Sequence, residues 1–357
     1  MSPSYAIFPK RNIIYNNLQP YEVQSIEDIQ VNSCGYIGYE CYKNIEEITQ
    51  PPLSFCTMPP LHFSKITEQS SFDISTHNMK AIPQIKWIKS NLNKQRYTQG
   101  VQSIIQHIKK GDCYQVNLTR KFYGEFEYAP NPLDIFAKLY GISPNPYSML
   151  YVFNGNRAAV SSSPECFLTR KNNEIFSTPI KGSLNSQYDI SQLNNFKDKS
   201  ENLMITDLVR NDIGKVTRKV WVENFQHTQT FSQVHHMSSK ICGDLNTGVS
   251  NAECFKATFP AGSMTGTPKI KAIQIANKLE GIQRGIYSGC LGVVDDDAQF
   301  DFGVVIRTVI LDGKKFEFQV GGAVVFDSTP QGEFDETIIK AQPILQTLNI
   351  NEDIFYE

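Results

Sequence analysis

Apolar residues recur at helical spacing in several stretches of the chain, and alternate with polar ones through much of the rest. Tyr97, Val101, Ile104, Ile105 and Ile108 share one side of a helix that Gly111 closes. Pro132–Tyr140 reads as a second helix. Ser200–Ile213 reads as a third, with Leu203, Met204, Leu208 and Val209 apolar and Gly214 placed as its C-cap. Asn251–Thr258 is a short helix, and Thr267-Pro268 opens one that runs to Glu280 and ends at Gly281. The last helix opens at Ser328-Thr329-Pro330, with proline in its first turn, and runs to about Leu348. Strand patterns fill the intervals. Tyr114–Phe122 alternates. Residues 147–180 read as successive antiparallel strands turning at Asn154-Gly155 and Lys171–Asn173. Val216–Phe225 and Phe231–Ile241 follow. Tyr287–Phe326 reads as a three-stranded meander with turns at Asp295–Asp297 and Asp312-Gly313. Hairpin strands with interspersed helices predict an α+β fold on large antiparallel sheets, not a doubly wound parallel sheet.

Residues 1–90 are weakly periodic and rich in Asn, Pro, Ser and Gln. Gly35–Tyr39 and Leu61–Phe63 are their strand candidates. This region is expected to be an extension packed on a main domain spanning 91–357. The chain has 357 residues, 40% of them hydrophobic, enough for one large core or two domains. A net charge of −2 without basic runs argues against nucleic-acid binding. No apolar run approaches the ~20 residues of a membrane span, and the first dozen residues show no apolar signal core, so a cytoplasmic location is expected. The eight cysteines make no Cys-x-x-Cys pair and no zinc spacing with histidine, and read as reduced, mostly buried thiols.

Several segments carry candidate chemistry. Phe176–Ser183 runs from an apolar stretch through Pro179 to Lys181 and Gly182. It is either a lysine at a surface turn or an amine presented where backbone approaches a ligand. Glu333, Glu336 and Lys340 share a narrow face of the last helix. They are an i,i+4 pair with a dipole-favoured acid, or two carboxylates for Mg²⁺ and an ammonium for an anion. Asp198-x-x-Glu201 fits a capping box, or places Glu201 toward a metal. Gly262–Lys269 (GSMTGTPK) feeds a helix N-terminus that suits a carboxylate, with Lys269 adding charge; it lacks the nucleotide P-loop pattern. Val320–Ala323 (VGGA) offers close backbone approach or tight packing. Glu165, after Ser-Pro at a strand start, is a proton-donor candidate if partly buried. One of His235 and His236 must face inward. Arg307, in the apolar run GVVIRTVIL, would be buried by alternation and need an anionic partner. Ser288–Gly292 (SGCLG) is close to the nucleophile turn of glutamine amidotransferases, but no Gly-His-Gln or late His-x-Glu accompanies it. Cys290 is therefore read as a strand residue, without a glutaminase in this chain.

Taken together, GDCYQVNLTR, SSSPECF, TPIKGS, KSENLMITDLVRNDIG, VHHMSSKI, FPAGSMTGTPK, FGVVIRT, VGGAVVFDS and EFDETIIKAQPIL resemble the chorismate-utilising enzymes. The likeness covers roughly Gly100–Leu348 plus the GYIGYE segment, and is strongest to the aminodeoxychorismate synthase branch. It implies an α/β sandwich of two large antiparallel sheets with the active site between layers. It implies Mg²⁺ bridging the ring carboxylate of chorismate to Glu201, Glu336 and Glu333. Lys340, Arg307, Gly321 and Gly322 match positions holding carboxylate and enolpyruvyl groups. Glu165 and His236 match acid–base and ring-contact positions. Ser163, Ser183, Ser263, Thr265 and Gly266 are implied substrate contacts. Gln115 stands where water-using relatives carry a lysine, which points to ammonia as nucleophile. Lys181 stands where anthranilate synthases carry a small residue. The implied reaction makes 4-amino-4-deoxychorismate, toward 4-aminobenzoate and folate, with Lys181 as nucleophile and Glu165 as acid. Its ammonia comes from glutamine through a separate glutamine amidotransferase subunit. Component I of anthranilate synthase, and a non-catalytic regulatory subunit of the same fold, are the alternatives. Ser183 replaces the usual Thr and Ala323 a common glycine. Tyr287 is shared with anthranilate synthases. The short N-terminal region leaves a tryptophan site there in doubt.

Overall fold

The computed structural model describes residues 4–44, 48–153, 156–185, 187–231 and 234–356; the Asn154-Gly155 turn lies outside them. Two ten-stranded antiparallel sheets face each other. The first runs, in hydrogen-bonded order, Gly266–Thr267, Gln115–Phe126, Lys315–Val324, Thr308–Asp312, Arg157–Ser163, Tyr147–Phe153, Tyr5–Phe8, Ile13–Asn16 and Glu68–Ser71, with Ile85–Ser90 also on Gln115–Phe126. The second runs Ile180–Asn185, Val234–Leu245, Glu174–Thr178, Cys166–Lys171, Gln299–Val304, Cys290–Asp296, Ser33–Ile37, Leu61–Lys65 and Gln19–Tyr21, with Thr217–Phe231 also on Val234–Leu245. The N-terminal segment thus supplies strands to both sheets.

Helices cover the outer faces. Lys94–Lys109, Pro132–Ile142, Lys269–Glu280 and Pro330–Leu348 bury apolar sides such as Val101, Ile135, Ala272 and Phe334 on the first sheet. Phe196–Gly214 and Asn251–Thr258 cover the second through Ile205, Val209 and Phe255. Their starts are set by polar caps: Asn93, Asn131, Ser250 and Thr329 each accept a first-turn amide. Between the sheets, one region is filled by an apolar cluster that includes Tyr36, Met149, Tyr151 and Leu291. All eight cysteines are buried and free, and among the described residues no helix is long and apolar enough to cross a membrane.

Three local expectations change. The helix expected at Ser200 begins at Phe196, because Asn195 accepts the Asp198 amide and outcompetes Asp198 as the cap. Glu201 is therefore well inside the helix and is not half of a capping box. Gly214 is the last helical residue, not a left-handed cap; Lys215 follows it in helical geometry. Most consequentially, the meander at 287–326 is four strands split between both sheets. The apolar run breaks after Val304, and Arg307 takes a left-handed φ of 49° before the first sheet is entered at Thr308. A second crossing joins Ser163 of the first sheet to Cys166 of the second, and it carries Glu165. The two crossings are tied together by Val304 N to Glu165 O at 3.0 Å and Ser162 N to Arg307 O at 3.1 Å.

Candidate active site

The strand Gln115–Phe126 shows how the site is built. Val116, Leu118 and Phe122 point into the helix-covered core. The alternate residues Gln115, Asn117, Thr119 and Lys121 point between the sheets, and all four are buried. Burying a polar face is expensive unless every group finds a partner or serves a ligand. Lys121 meets Glu317 at 2.8 Å. Asn117 and Thr119 line a cavity of about 380 Å³.

Both sheet crossings open into this cavity with Glu165 and Arg307, and the second sheet contributes Lys181 and His236. Glu165 is 4% exposed. Burial pushes its carboxyl up to about 7, against the lowering effects of Ser263 and Lys181. Lys181, 8% exposed, donates to the Ser263 carbonyl at 3.4 Å. Burial and then the Lys340 charge lower its pKa, while Glu201 raises it. The cavity thus holds a carboxyl biased toward its proton and an amine biased away from one. His236 is pushed down to about 3 by burial and then by the Arg307 charge, so its ring is neutral. Arg307 is lowered by burial to about 10 and raised by Glu165; it remains a cation.

The acidic side comes from two helices. Glu201, 7% exposed, enters from Phe196–Gly214. Glu336 lines the cavity from Pro330–Leu348 and pairs with Lys340 at 2.6 Å. Burial works against the Lys340 charge, but Glu336 holds it above the usual lysine range. Lys340 also donates to the Gly321 carbonyl at 3.0 Å. Glu333 is 1% exposed and accepts from Ser328 at 2.6 Å. Its other oxygen lies 2.6 Å from where a Cβ on Gly322 would sit. Glycine at 322 is therefore what lets the strand backbone approach the carboxylates. Among the described residues no three His, Cys, Asp or Glu side chains form a ready-made metal cage. Mg²⁺ needs only one or two carboxylates and keeps its waters, and the Glu201 and Glu336 donors suit it.

Other expected residues lie elsewhere. Ser163 is fully buried and accepts the Glu165 amide at 3.3 Å, shaping the crossing without lining the cavity. Thr265 directs its hydroxyl to the Ala261 and Gly262 carbonyls. Gly266 has φ 131° and no room for a side chain, since a Cβ would stand 2.1 Å from the Gln115 carbonyl. It allows close strand pairing instead of lining the cavity. Ser263 does line it. The Ser183 side chain lies outside the described residues, although its backbone pairs with His236. The expected anion-binding role of Lys269 is corrected: its ammonium binds Asp212 at 2.6 Å and the Thr258 and Pro260 carbonyls. Sequence reading missed Asn117, Thr119, Asp198 and Gln319, which also line the cavity. Their signal was present for the first two, as the polar side of an alternating strand between two helix-forming segments.

A two-sheet sandwich thus gathers a buried acid and an arginine from its sheet crossings, a lowered amine from one sheet and carboxylates from two helices into one cavity. The sequence model of the chorismate binding enzymes matches residues 10–346, and the chain belongs to that family. It is 34% identical over 281 residues to anthranilate synthase component 1 of Aquifex aeolicus, covering 76% of this chain and 56% of that one. It is 37% identical over 266 residues to the chloroplastic aminodeoxychorismate synthase of Arabidopsis thaliana, covering 70% of this chain and 28% of that one. The chain thus spans little more than half of the first relative and under a third of the second. Among solved structures, anthranilate synthase component I from Streptococcus pneumoniae superposes with a TM-score of 0.79 at 25% identity, over 97% of this chain and 91% of the other. The menaquinone-specific isochorismate synthase of Escherichia coli shares the fold, with a TM-score of 0.78 at 17% identity over 98% and 89% of the two chains.

Proposed function

We propose that the chain aminates chorismate at C4 to give 4-amino-4-deoxychorismate, with ammonia delivered from glutamine by a separate amidotransferase subunit. The observation that carries this reading is the pairing of Lys181 and Glu165 in one cavity, the amine lowered and the carboxyl raised toward 7. A neutral amine is a nucleophile and a protonated carboxyl is an acid, so each is biased toward the state its task requires. Lys181 bonds to C2, the two ring double bonds shift, and the C4–O bond breaks. Glu165 gives the proton with which the hydroxyl leaves as water. Ammonia then bonds to C4, the double bonds shift back, and the C2–N bond breaks with Lys181 regaining its electron pair. A proton from the new C4 ammonium restores Glu165. Bound Mg²⁺, held by Glu201 and Glu336 with Glu333 beside them, would neutralise the ring carboxylate. Arg307, Lys340 and the Gly321-Gly322 backbone orient the remaining anionic groups, while neutral His236 contacts the ring.

The relatives named as anthranilate synthases favour a second reading, in which nitrogen enters at C2 and Lys181 is a bystander. Product analysis separates the two. The chain is incubated with chorismate, Mg²⁺ and ammonium at high pH, followed by the lyase that converts aminodeoxychorismate to 4-aminobenzoate. 4-Aminobenzoate, together with a loss of about 10³-fold or more in Lys181→Ala, is the expected result. Anthranilate as product, or full activity in Lys181→Ala, would sink the proposal.

A further inference from the structure

Asn117 is 6% exposed, lines the cavity beside Lys181, and belongs to none of the groups assigned above. Its Nδ2 donates a short hydrogen bond to the Ser263 carbonyl. Lys181 donates to that same oxygen at 3.4 Å. One acceptor therefore gathers both side-chain heads. A carbonyl oxygen can only accept, so the amide must turn its NH₂ to Ser263 and its oxygen away. Among the described residues that oxygen, Oδ1, is buried with no hydrogen-bond partner. The backbone beneath it is fixed, since the Asn117 carbonyl accepts from Arg284 at 2.9 Å and the strand pairs through Ala323 on its neighbour. Arg284 also binds the Met264 carbonyl at 2.7 Å, clamping the turn that carries Ser263 against the same strand. A rigid, unfilled acceptor thus sits on the side chain that shares the Ser263 oxygen with the Lys181 amine, whose hydrogen bond to that oxygen is long.

A neutral primary amine has two N–H bonds and one lone pair. It attacks well only when the lone pair faces the electrophile. We propose that Asn117 is a positioning residue for Lys181: Oδ1 accepts one N–H of the amine, the Ser263 carbonyl accepts the other, and the lone pair is left facing the cavity. Rotation of the Lys181 side chain about the Ser263 oxygen that both heads share would complete the pair. The charged groups around this amine are Glu201 from one helix, Glu336 and Lys340 from another, and Glu165 from the sheet crossing. None of them supplies a fixed neutral acceptor. This inference rests on Lys181 acting as the nucleophile, and the experiment separates the two.

The test uses Asn117→Ala and the near-isosteric Asn117→Leu, which keeps the volume while removing the acceptor. Two rates are measured at one pH. The first is turnover of chorismate with ammonium and Mg²⁺. The second is carbamoylation of Lys181 by cyanate, read by peptide mass spectrometry. In that reaction the amine lone pair attacks the carbon of isocyanic acid, forming an N–C bond as a proton moves from the amine to the isocyanate nitrogen, and this small, freely diffusing reagent can meet the lone pair from any open side. Both variants should lose about a hundredfold in kcat, with KM for chorismate held within about twofold. Carbamoylation should instead rise by about fivefold, the release expected from one lost hydrogen bond. Unchanged carbamoylation overturns the proposal, as does a fall that parallels kcat, which would mark a collapsed pocket. Turnover within about threefold of the parent also overturns it, provided that Lys181→Ala is inactive. If Lys181→Ala retains turnover, the nucleophile reading fails by itself, and the cyanate rate alone then decides whether Oδ1 holds the amine.

Discussion

Adding one methyl group at Gly322 tests how the acidic helix and the glycine strand fit together. A Cβ on Gly322 would lie 2.6 Å from Glu333 Oε2 and 3.5 Å from Glu336 Oε1. Ordinary contact begins at 3.4 Å, so Glu333 must retreat by about 0.8 Å, the difference between 3.4 and 2.6. It has little freedom to do so. Its carboxylate is 1% exposed and already takes the Ser328 hydroxyl at 2.6 Å. The helix must shift or that hydrogen bond must break. Overpacking of this kind costs about 1–3 kcal/mol, and a hydrogen bond to a charged group contributes about 1.5–3. Gly322→Ala should therefore lose about 2 kcal/mol of stability in urea unfolding. A displacement near 1 Å at the carboxylates should lower kcat/KM for chorismate by about 10². Gly141→Ala is the control. That glycine is exposed near the end of Pro132–Ile142, and among the described residues no atom beyond its own helix turn lies within 4 Å of a Cβ. It should be neutral or gain up to about 1 kcal/mol. Gly322→Ala with stability and kcat/KM within twofold of the parent would refute the argument that the backbone cradle and the carboxylates share one tight fit.

Further outcomes follow from charge and burial. With free ammonia held constant, kcat/KM for chorismate should fall as pH rises through about 7, where Glu165 gives up its proton, and Glu165→Gln should remove that limb. The same carboxyl has a linked effect on stability. Its folded pKa lies above the ordinary 4.5, so the native state holds the extra proton between about 4.5 and 7. Stability should decline across that window as pH rises, and Glu165→Gln should flatten the slope in pH-dependent unfolding. Lys269→Met removes the more buried of two lysine partners of Asp212, the one at 2.6 Å, and leaves Lys215 at 2.8 Å on the other oxygen. It should cost about 1.5–3 kcal/mol in unfolding while leaving KM for chorismate unchanged, the reverse of what an anion-binding lysine would give. Lys121 and Glu317 form a pair that is 0% and 3% exposed. Lys121→Met or Glu317→Gln alone should each cost about 3–5 kcal/mol, and the double variant less than their sum, as a double-mutant cycle will read.

Much of the fold is legible in the chain because periodicity reports local burial. The helix at 330–348 follows from its spacing of apolar residues and from Thr329-Pro330 at its start. Asn251–Thr258 and the Gly281 stop were equally plain, the latter at φ 64°. The failures share a cause. GVVIRTVIL is apolar on both sides of Arg307, and alternation does not reveal that its two halves belong to different sheets. Asp198 offers a good cap by composition, but Asn195 stands one turn earlier and takes the amide. For Lys269, charge beside glycines suggested an anion, whereas a buried Asp212 from a distant helix had the prior claim.

The sequence by itself determined an antiparallel α+β fold through its periodicity, and the resemblance of its motifs to the chorismate-utilising enzymes pointed to Lys181, Glu165, Arg307 and the acids of the last helix as candidates. Periodicity and motifs reside in local residue order, which the chain carries explicitly. Only the tertiary structure decided that Glu165 and Arg307 sit on two sheet crossings tied by backbone hydrogen bonds. It alone decided that Lys181 shares an acceptor with Asn117. The physical reason is desolvation. Whether a carboxyl keeps its proton or an amine loses one depends on what excludes water from it, and here that work is done by strands and helices far away in sequence.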